Sequence, residues 1–385
     1  MLRGSISLSK QIWKAPNIWG FFFLVVFVIG GLSCKNEASR KVEVIEVIEP
    51  EPSEIAFSTS TNARITSYFD SLSRYQHFNG VALFYHSDSI FRYKHGSPRI
   101  AEKDTFQFDD AFQLASVSKP ITAFGLLHLL EQRHISVQTP VADILPLFSN
   151  KEITLFQLLT HTSGIGNYLY MTDSLWTNPD SIITNAEVQC YFEEDLIPAY
   201  HSPGKTYDYC NSNYALIASI IEQISGRYFS DYMHDEIFSP LGMTNSAYMN
   251  PREKTCLDYK VYGHYPSGDK KYPFYLNGVV GDKGLYSSVN DLFLFYQQLQ
   301  NPTLVSDSLL DLAMSPLVAA NHHTHYGFGW RSKQLETDRL VFHNGWWRGF
   351  RTYFWFNQEK TKCVIVLTNT IKGGYLHQEE VWDLF

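Results

Sequence analysis

A serine and a lysine three residues apart, in Ser116-Val117-Ser118-Lys119, stand where an apolar helical pattern begins (Ala123, Phe124, Leu126, Leu127, Leu129, Leu130). At helical spacing residues i and i+3 share a face, with Cβ atoms about 5–6 Å apart. An amine at that distance, once desolvated, can take the proton of the serine hydroxyl and turn it into a nucleophile. The start of a helix adds free N–H groups and partial positive charge, which suit an oxyanion. A serine that merely caps the helix is the plainer account of the same residues, and four residues alone do not separate the two.

Two further clusters carry usable groups. Tyr209-Cys210-Asn211 lies in a turn-rich stretch, Pro203 to Tyr214, that runs into a helical pattern. In extended chain, residues i and i+2 point the same way, so Tyr209 and Asn211 face one pocket together. Ser212 or Asn213 reads equally well as the N-cap of the helix that follows. His343-Asn344-Gly345 ends an apolar strand. Gly345 permits close backbone approach, and an edge strand there offers N–H groups to a ligand.

The elements that must position these groups are legible in outline. Helical patterns cover Ile65 to Tyr75, the stretch after Ser116, Thr154 to Leu159, Tyr214 to Ser225, Asp231 to Phe238 and Asp291 to Leu299. Gly226 closes the fourth of these, as a C-terminal glycine does. Strand patterns sit near both ends: Gly80–Tyr85 and Ser89–Gly96, then Gly327–Trp330, Leu340–His343, Thr352–Phe356 and Cys363–Leu367. A helix is indicated from Glu379 to Phe385. Strands at both ends with helices between predict an α+β fold, its antiparallel sheet built from the two chain ends around an inserted helical region.

Of the 385 residues, 44% are hydrophobic and 18% charged, which fits a chain with a sizeable core, as two domains or one large one. The formal charge of −8 argues against a nucleic-acid partner. Arg3, Lys10 and Lys14 precede the apolar run Phe21–Ile29 and Gly30-Gly31-Leu32-Ser33-Cys34, the layout of an export signal over residues 1–33. The run is shorter than the about 20 residues a spanning helix needs. Leu-Ser-Cys resembles a bacterial lipoprotein signal cut before a lipidated cysteine, with Gly31 where a leucine is usual. The expectation is a cell-envelope lipoprotein on the periplasmic or cell-surface face, joined to the membrane through Cys34; an uncleaved anchor and plain secretion are the alternatives. Residues 34–61, rich in Glu, Ser, Thr and Pro, read as a tether. The other cysteines, Cys190, Cys210, Cys256 and Cys363, are widely spaced and read as free thiols.

Taken in chain order, Ser116-Val117-Ser118-Lys119, Tyr209-Cys210-Asn211 and His343-Asn344-Gly345 resemble the three motifs of the serine β-lactamase-like hydrolases: class C β-lactamases, DD-peptidases and related esterases. Leu158 to Ile165, Gly281 to Asp291 and Tyr326 to Trp330 are similar to the same family, and the likeness runs from Asn62 to Phe385. The resemblance implies a serine hydrolase working through an acyl-enzyme on an ester or amide, a D-amino-acid peptide among the options, with no cofactor and no metal. It implies Ser116 as nucleophile, Lys119 or Tyr209 as base, and Asn211 as a contact to a substrate amide or an orienting hydrogen bond. His343 takes the place of a lysine, which makes part of the local positive charge pH-dependent. The N–H groups of Ser116 and Trp346 form the implied oxyanion hole. It also implies a terminal helix continuing past Phe385.

A true β-lactamase or DD-carboxypeptidase is the nearest alternative, and a silent penicillin-binding-type binding protein is the alternative of another class. The departures bear on substrate. Asn344 stands where Thr or Ser is usual, and Trp346 where a small or hydroxylated residue often helps hold a carboxylate. Arg348 and Arg351 are replacement carboxylate contacts or plain surface charges. Trp346, Trp347, Tyr168, Tyr170 and Trp176 read as a pocket wall or as core. His161 reads as a loop brace, Cys210 as a packed small residue, and His322-His323-Thr324-His325 matches no strong zinc spacing.

Overall fold

The first and last strands of the fold lie side by side. The computed structural model describes residues 57–385 apart from Lys103, Pro179, residues 250–259, Pro273 and Thr337. The expected signal, Cys34, most of the tether and Cys256 therefore fall outside the described residues. Helix α1 (Thr59–Gln76) is capped by the Ser58 side chain. The last three residues assigned to the tether are thus the first turn of this helix, because Ser58 supplies the acceptor that starts it.

Strands β1 (Gly80–His86) and β2 (Ser89–His95) form a hairpin. A small sheet follows in the order β3 (Phe112–Gln113), β5 (Leu285–Ser287), β4 (Ala247–Tyr248). The remaining strands are β6 (Val318–Ala319), β7 (Thr324–Tyr326), β8 (Arg331–Gln334), β9 (Arg339–Trp347), β10 (Phe350–Asn357) and β11 (Lys362–Thr368). They join the first hairpin in an eight-stranded antiparallel sheet ordered β2-β1-β11-β10-β9-β8-β7-β6. Gly80 pairs with Thr368 where the chain ends meet.

Alternation along each strand divides the core in two. Val81, Leu83, Phe354, Phe356, Ile365 and Leu367 face the helical region. Ala82, Phe84, Trp355, Val364 and Val366 face Ile65 and Phe69 of α1 and Val381 near the C-terminus. This is the expected α+β architecture.

Helix α2 (Ser118–Arg133) runs through the helical region against α3 (Asn211–Ser225), each buried along most of its length. The helix α3 starts three residues earlier than Tyr214. Cys210 occupies the cap without a side-chain bond, because Ser212 and Asn213 are used elsewhere. Ser212 Oγ accepts from Tyr168 N–H and donates to Gly166 O, and Asn213 Nδ2 donates to His161 Nδ1. Residues 327–330 form a turn rather than a strand. A Cβ on Gly329, at φ +84°, would lie 2.7 Å from Pro120 Cα, so the bend presses onto the first turn of α2. Among the described residues no helix is long and apolar enough to cross a membrane.

Candidate active site

Ser116 is the one partly exposed residue in the otherwise buried run from Phe112 to Leu130. It lies in a short 3-10 turn, Ala115–Val117, that leads into α2. Ala115 holds φ at +50°, a conformation a residue with a Cβ adopts at a cost, and such strain gathers at functional positions. The turn is clamped from both sides. Leu114 N–H donates to Leu285 O at 2.8 Å, and Thr352 Oγ1 donates to Leu114 O at 2.6 Å. The two serines of the motif are set apart by their surroundings. Ser118 Oγ is buried and accepts the Leu285 N–H at 3.2 Å, whereas Ser116 Oγ faces Lys119.

Lys119 is fully buried, and its Nζ lies 2.8 Å from Asn211 Oδ1, 2.8 Å from Asp282 O and 3.1 Å from Ser116 Oγ. An amide oxygen and a backbone carbonyl only accept, so both bonds use amine hydrogens in either charge state. When the amine is neutral its lone pair is left to the third partner, a hydroxyl that can donate. The geometry therefore aims the basic lone pair of Lys119 at Ser116. Burial lowers the Lys119 pKa to about 8, with the Arg331 guanidinium adding to the fall and Asp282 opposing it. Roughly one molecule in ten then carries the neutral amine at pH 7.

Tyr209 completes a triangle. Lys119 Nζ is 4.9 Å from its ring, and its phenol bonds Ser116. The proximity of an ammonium favours a lowered phenol pKa, but burial wins and raises it. Tyr209 is a phenol at neutral pH, a donor rather than a base.

His343 is buried, and burial, Arg331 and Lys119 hold its pKa well below the usual value. It is neutral, so the expected titrating charge does not come from this residue; the fixed cation is Arg331. The Arg331 guanidinium stacks 5.0 Å over Tyr209 and 5.6 Å over Tyr326. The two histidines are joined by Tyr326. His161 Nδ1 accepts the Cys210 N–H at 3.2 Å, so Nε2 carries the proton and donates to Tyr326 Oη at 3.2 Å. His343 Nδ1 lies 2.9 Å from Asn344 O and must donate, which leaves Nε2 to accept from Tyr326 Oη at 3.3 Å. This chain of neutral groups links the His161 loop, the cap of α3 and β9. His161 is the brace it was expected to be, and no pocket-facing proton remains on its ring.

The strand β9 comes unusually close to the Ser116 turn. A Cβ on Gly345 would lie 2.2 Å from Leu114 O and 2.3 Å from Thr352 Oγ1, so glycine is required. Arg348 and Gly349, at φ +46° and +98°, make the two-residue turn between β9 and β10. In such a hairpin Trp347 and Phe350 exchange their ladder bonds, so Asn344 and Trp346 turn their N–H groups to the open edge. The Trp346 N–H thereby points to that edge, one residue beyond Gly345, which packs against Leu114 and Ala115 next to Ser116 in the chain.

Side chains at the same positions go the other way. Asn344 Oδ1 accepts from Trp355 Nε1 at 2.6 Å, on the α1 side of the sheet. Trp346 is 65% exposed on that same face, with Arg351 stacked 5.4 Å over its ring. Arg348 donates to Tyr272 O at 2.8 Å from the turn. None of the side chains of Asn344, Trp346, Arg348 and Arg351 is brought to Ser116, because a period of two places 344, 346 and 351 opposite His343 and Gly345. Of the aromatic residues expected as a wall, Tyr170 is exposed, while Trp347 shares the face of Gly345 and Tyr168 is buried behind Asp282. Cys190, Cys210 and Cys363 are free thiols.

Arg331, Tyr326 and Asp282 were not singled out from the sequence, although each lies in or beside a segment with a family likeness. Their signal was position: Arg331 directly follows Trp330, and Asp282 follows Gly281, whose φ of +98° bends the chain against α3.

A family model described as Beta-lactamase matches residues 65–380. The chain belongs to the beta-lactamase family. It is 30% identical over 321 residues to "Penicillin-binding protein 4*" of Bacillus subtilis, covering 79% of this chain and 71% of that one. It is 26% identical over 295 residues to "D-aminopeptidase" of Brucella ovis, covering 75% of this chain and 55% of that protein. The octameric penicillin-binding protein homologue from Pyrococcus abyssi has the same fold, with a TM-score of 0.71 at 23% identity over 83% of this chain and 75% of that one. The family match and the relatives thus make this chain a serine hydrolase of the beta-lactamase family.

Proposed function

We propose that the protein hydrolyses an ester or amide through an acyl-enzyme on Ser116, with short peptides bearing D-amino acids as the preferred class. The observation that carries this reading is the lone pair of Lys119, turned to Ser116 by two obligate acceptors 2.8 Å from its Nζ. Neutral Lys119 takes the Ser116 proton as Oγ bonds to the substrate carbonyl carbon. The N–H groups of Ser116 and Trp346 receive the oxyanion; losing one such donor typically costs ~10²–10³ in rate. The C–N or C–O bond breaks as the proton returns to the leaving group, with the Tyr209 phenol bridging Lys119 and the departing atom. Water then repeats the sequence on the ester, Lys119 accepting its proton and Ser116 recovering one.

Two features support a peptide. Strand β9 is internal to the sheet, but beyond Phe342 it runs past its pairing with β8, and this unpaired end offers backbone groups to an extended substrate. Arg331 supplies a cation over Tyr209 and Tyr326 that meets aromatic faces rather than a carboxylate among the described residues, and so suits a carboxylate on the substrate. The D-configuration is supported by the likeness to a protein named D-aminopeptidase. A silent binding protein needs no amine lone pair held against a serine. The test is turnover of p-nitrophenyl esters, D-alanyl p-nitroanilide, D-Ala-D-Ala peptides and nitrocefin, by wild type and by Ser116→Ala. Hydrolysis of a D-amino-acid substrate that vanishes in the variant supports the reading, and turnover that survives the substitution overturns it. Export and lipidation at Cys34 complete the proposal; palmitate incorporation that persists in Cys34→Ser would refute that part.

A further inference from the structure

A second lysine is buried behind the first, and the chemistry above does not use it. Lys283 and Asp282 form an ion pair, Nζ to Oδ1 3.3 Å, with side chains 4% and 1% exposed. Every hydrogen of the Lys283 ammonium has an acceptor: Asp282 Oδ1, Val279 O at 3.2 Å and the hydroxyl of Tyr168. Tyr168 in turn donates to Asp282 Oδ2 at 3.0 Å. The Lys283 Nζ also lies 5.1 Å from the Tyr168 ring and 5.2 Å from the Trp347 ring, which shares the face of Gly345. The same residue, Asp282, gives its backbone oxygen to Lys119. One short segment therefore touches both lysines, with the carbonyl toward Lys119 and the carboxylate toward Lys283.

A buried carboxylate beside a lysine stabilises the ammonium and withholds the neutral amine that the reaction needs. We propose that Lys283 is a positioning residue for the acylation step: it holds and neutralises the Asp282 carboxylate, so that Lys119 donates to a carbonyl of this segment without facing a full counter-charge. The inference rests on the acyl-enzyme reading of Ser116. The other groups facing Lys119 are Arg331, Tyr209, Tyr214, Cys210 and the neutral His161 and His343. Those facing the pair are Tyr168 and Lys119, with Tyr275 beyond Tyr168. Lys283 and Asp282 are the members of this set whose charges offset one another directly.

The experiment is the rate of Ser116 phosphonylation by a fluorophosphonate as a function of pH. In that step the Oγ–P bond forms, the P–F bond breaks, fluoride leaves and the proton passes to Lys119. Lys283→Met frees the carboxylate and is expected to move the acid limb to higher pH by about 1 unit. Asp282→Asn removes the anion and should move it to lower pH. The double variant should return the midpoint toward that of wild type, and Lys283→Arg should keep it. A packing role alone would lower the plateau rate and leave the midpoint in place. An unmoved midpoint in folded Lys283→Met, or in Asp282→Asn if the first variant does not fold, overturns the inference while leaving the Ser116 reading intact. Labelling that is absent in wild type, or that survives Ser116→Ala, overturns both.

Discussion

Replacing Lys119 by methionine should flatten a rise in stability that the wild-type protein shows between pH 7 and 9.5. The folded pKa of Lys119 is about 8, against 10.5 for an ordinary lysine. Between these values the unfolded chain binds the proton that the folded chain has released, so stability increases with pH across that window. Well below pH 7 both forms are protonated and the group contributes no slope. Integrated from pH 7 to 9.5, the gain is about 2 kcal/mol. The buried tyrosines, whose pKa values are raised, act in the opposite sense, but at higher pH and equally in both proteins. Urea unfolding of wild type and Lys119→Met at half-unit intervals gives the difference directly. Constant offsets from the lost hydrogen bonds cancel in its slope. A difference that stays level from pH 7 to 9.5 would refute the argument that burial has made Lys119 a usable base.

Gly345→Ala should cut hydrolysis at least about 100-fold and destabilise the fold by about 1–3 kcal/mol, because the added methyl meets the Leu114 carbonyl and Thr352; thermal melts and initial rates check both. The pH profile of kcat/KM should carry its acid limb near 8 and show no inflection at 6.5, since His343 stays neutral there. A limb near 6.5 that disappears in His343→Gln would show that the histidine titrates instead. Arg331→Gln should raise KM about tenfold or more for peptides with a free carboxylate and leave uncharged esters nearly unaffected; equal effects on both would remove Arg331 from substrate recognition.

The sheet from both chain ends and the meeting of Ser116, Lys119, Tyr209 and Asn211 were legible because each depends on local periodicity or a short motif. What was hidden depends on distance in sequence. Arg331 reaches Tyr209 across more than a hundred residues, and Asp282 meets Lys119 across 163. Nothing in the local pattern of either residue marks that encounter. The misplaced side chains have a different cause. Asn344, Trp346 and Arg351 are neighbours of the His343 motif in sequence or across the hairpin, whereas a strand sends alternate residues to opposite faces. The resemblance implies a titrating His343 and Tyr209 as an alternative base, whereas desolvation keeps both side chains neutral.

The most direct test of the central claim is where an acyl group goes. Incubating the protein with a slowly turned-over β-lactam or activated ester, quenching in acid and mapping the peptides by mass should place one acyl group on Ser116. Ser116→Ala should show none, and Lys119→Met should form the adduct at least about 100-fold more slowly. An adduct on Ser118 or elsewhere, or one formed equally well by Ser116→Ala, would contradict the account.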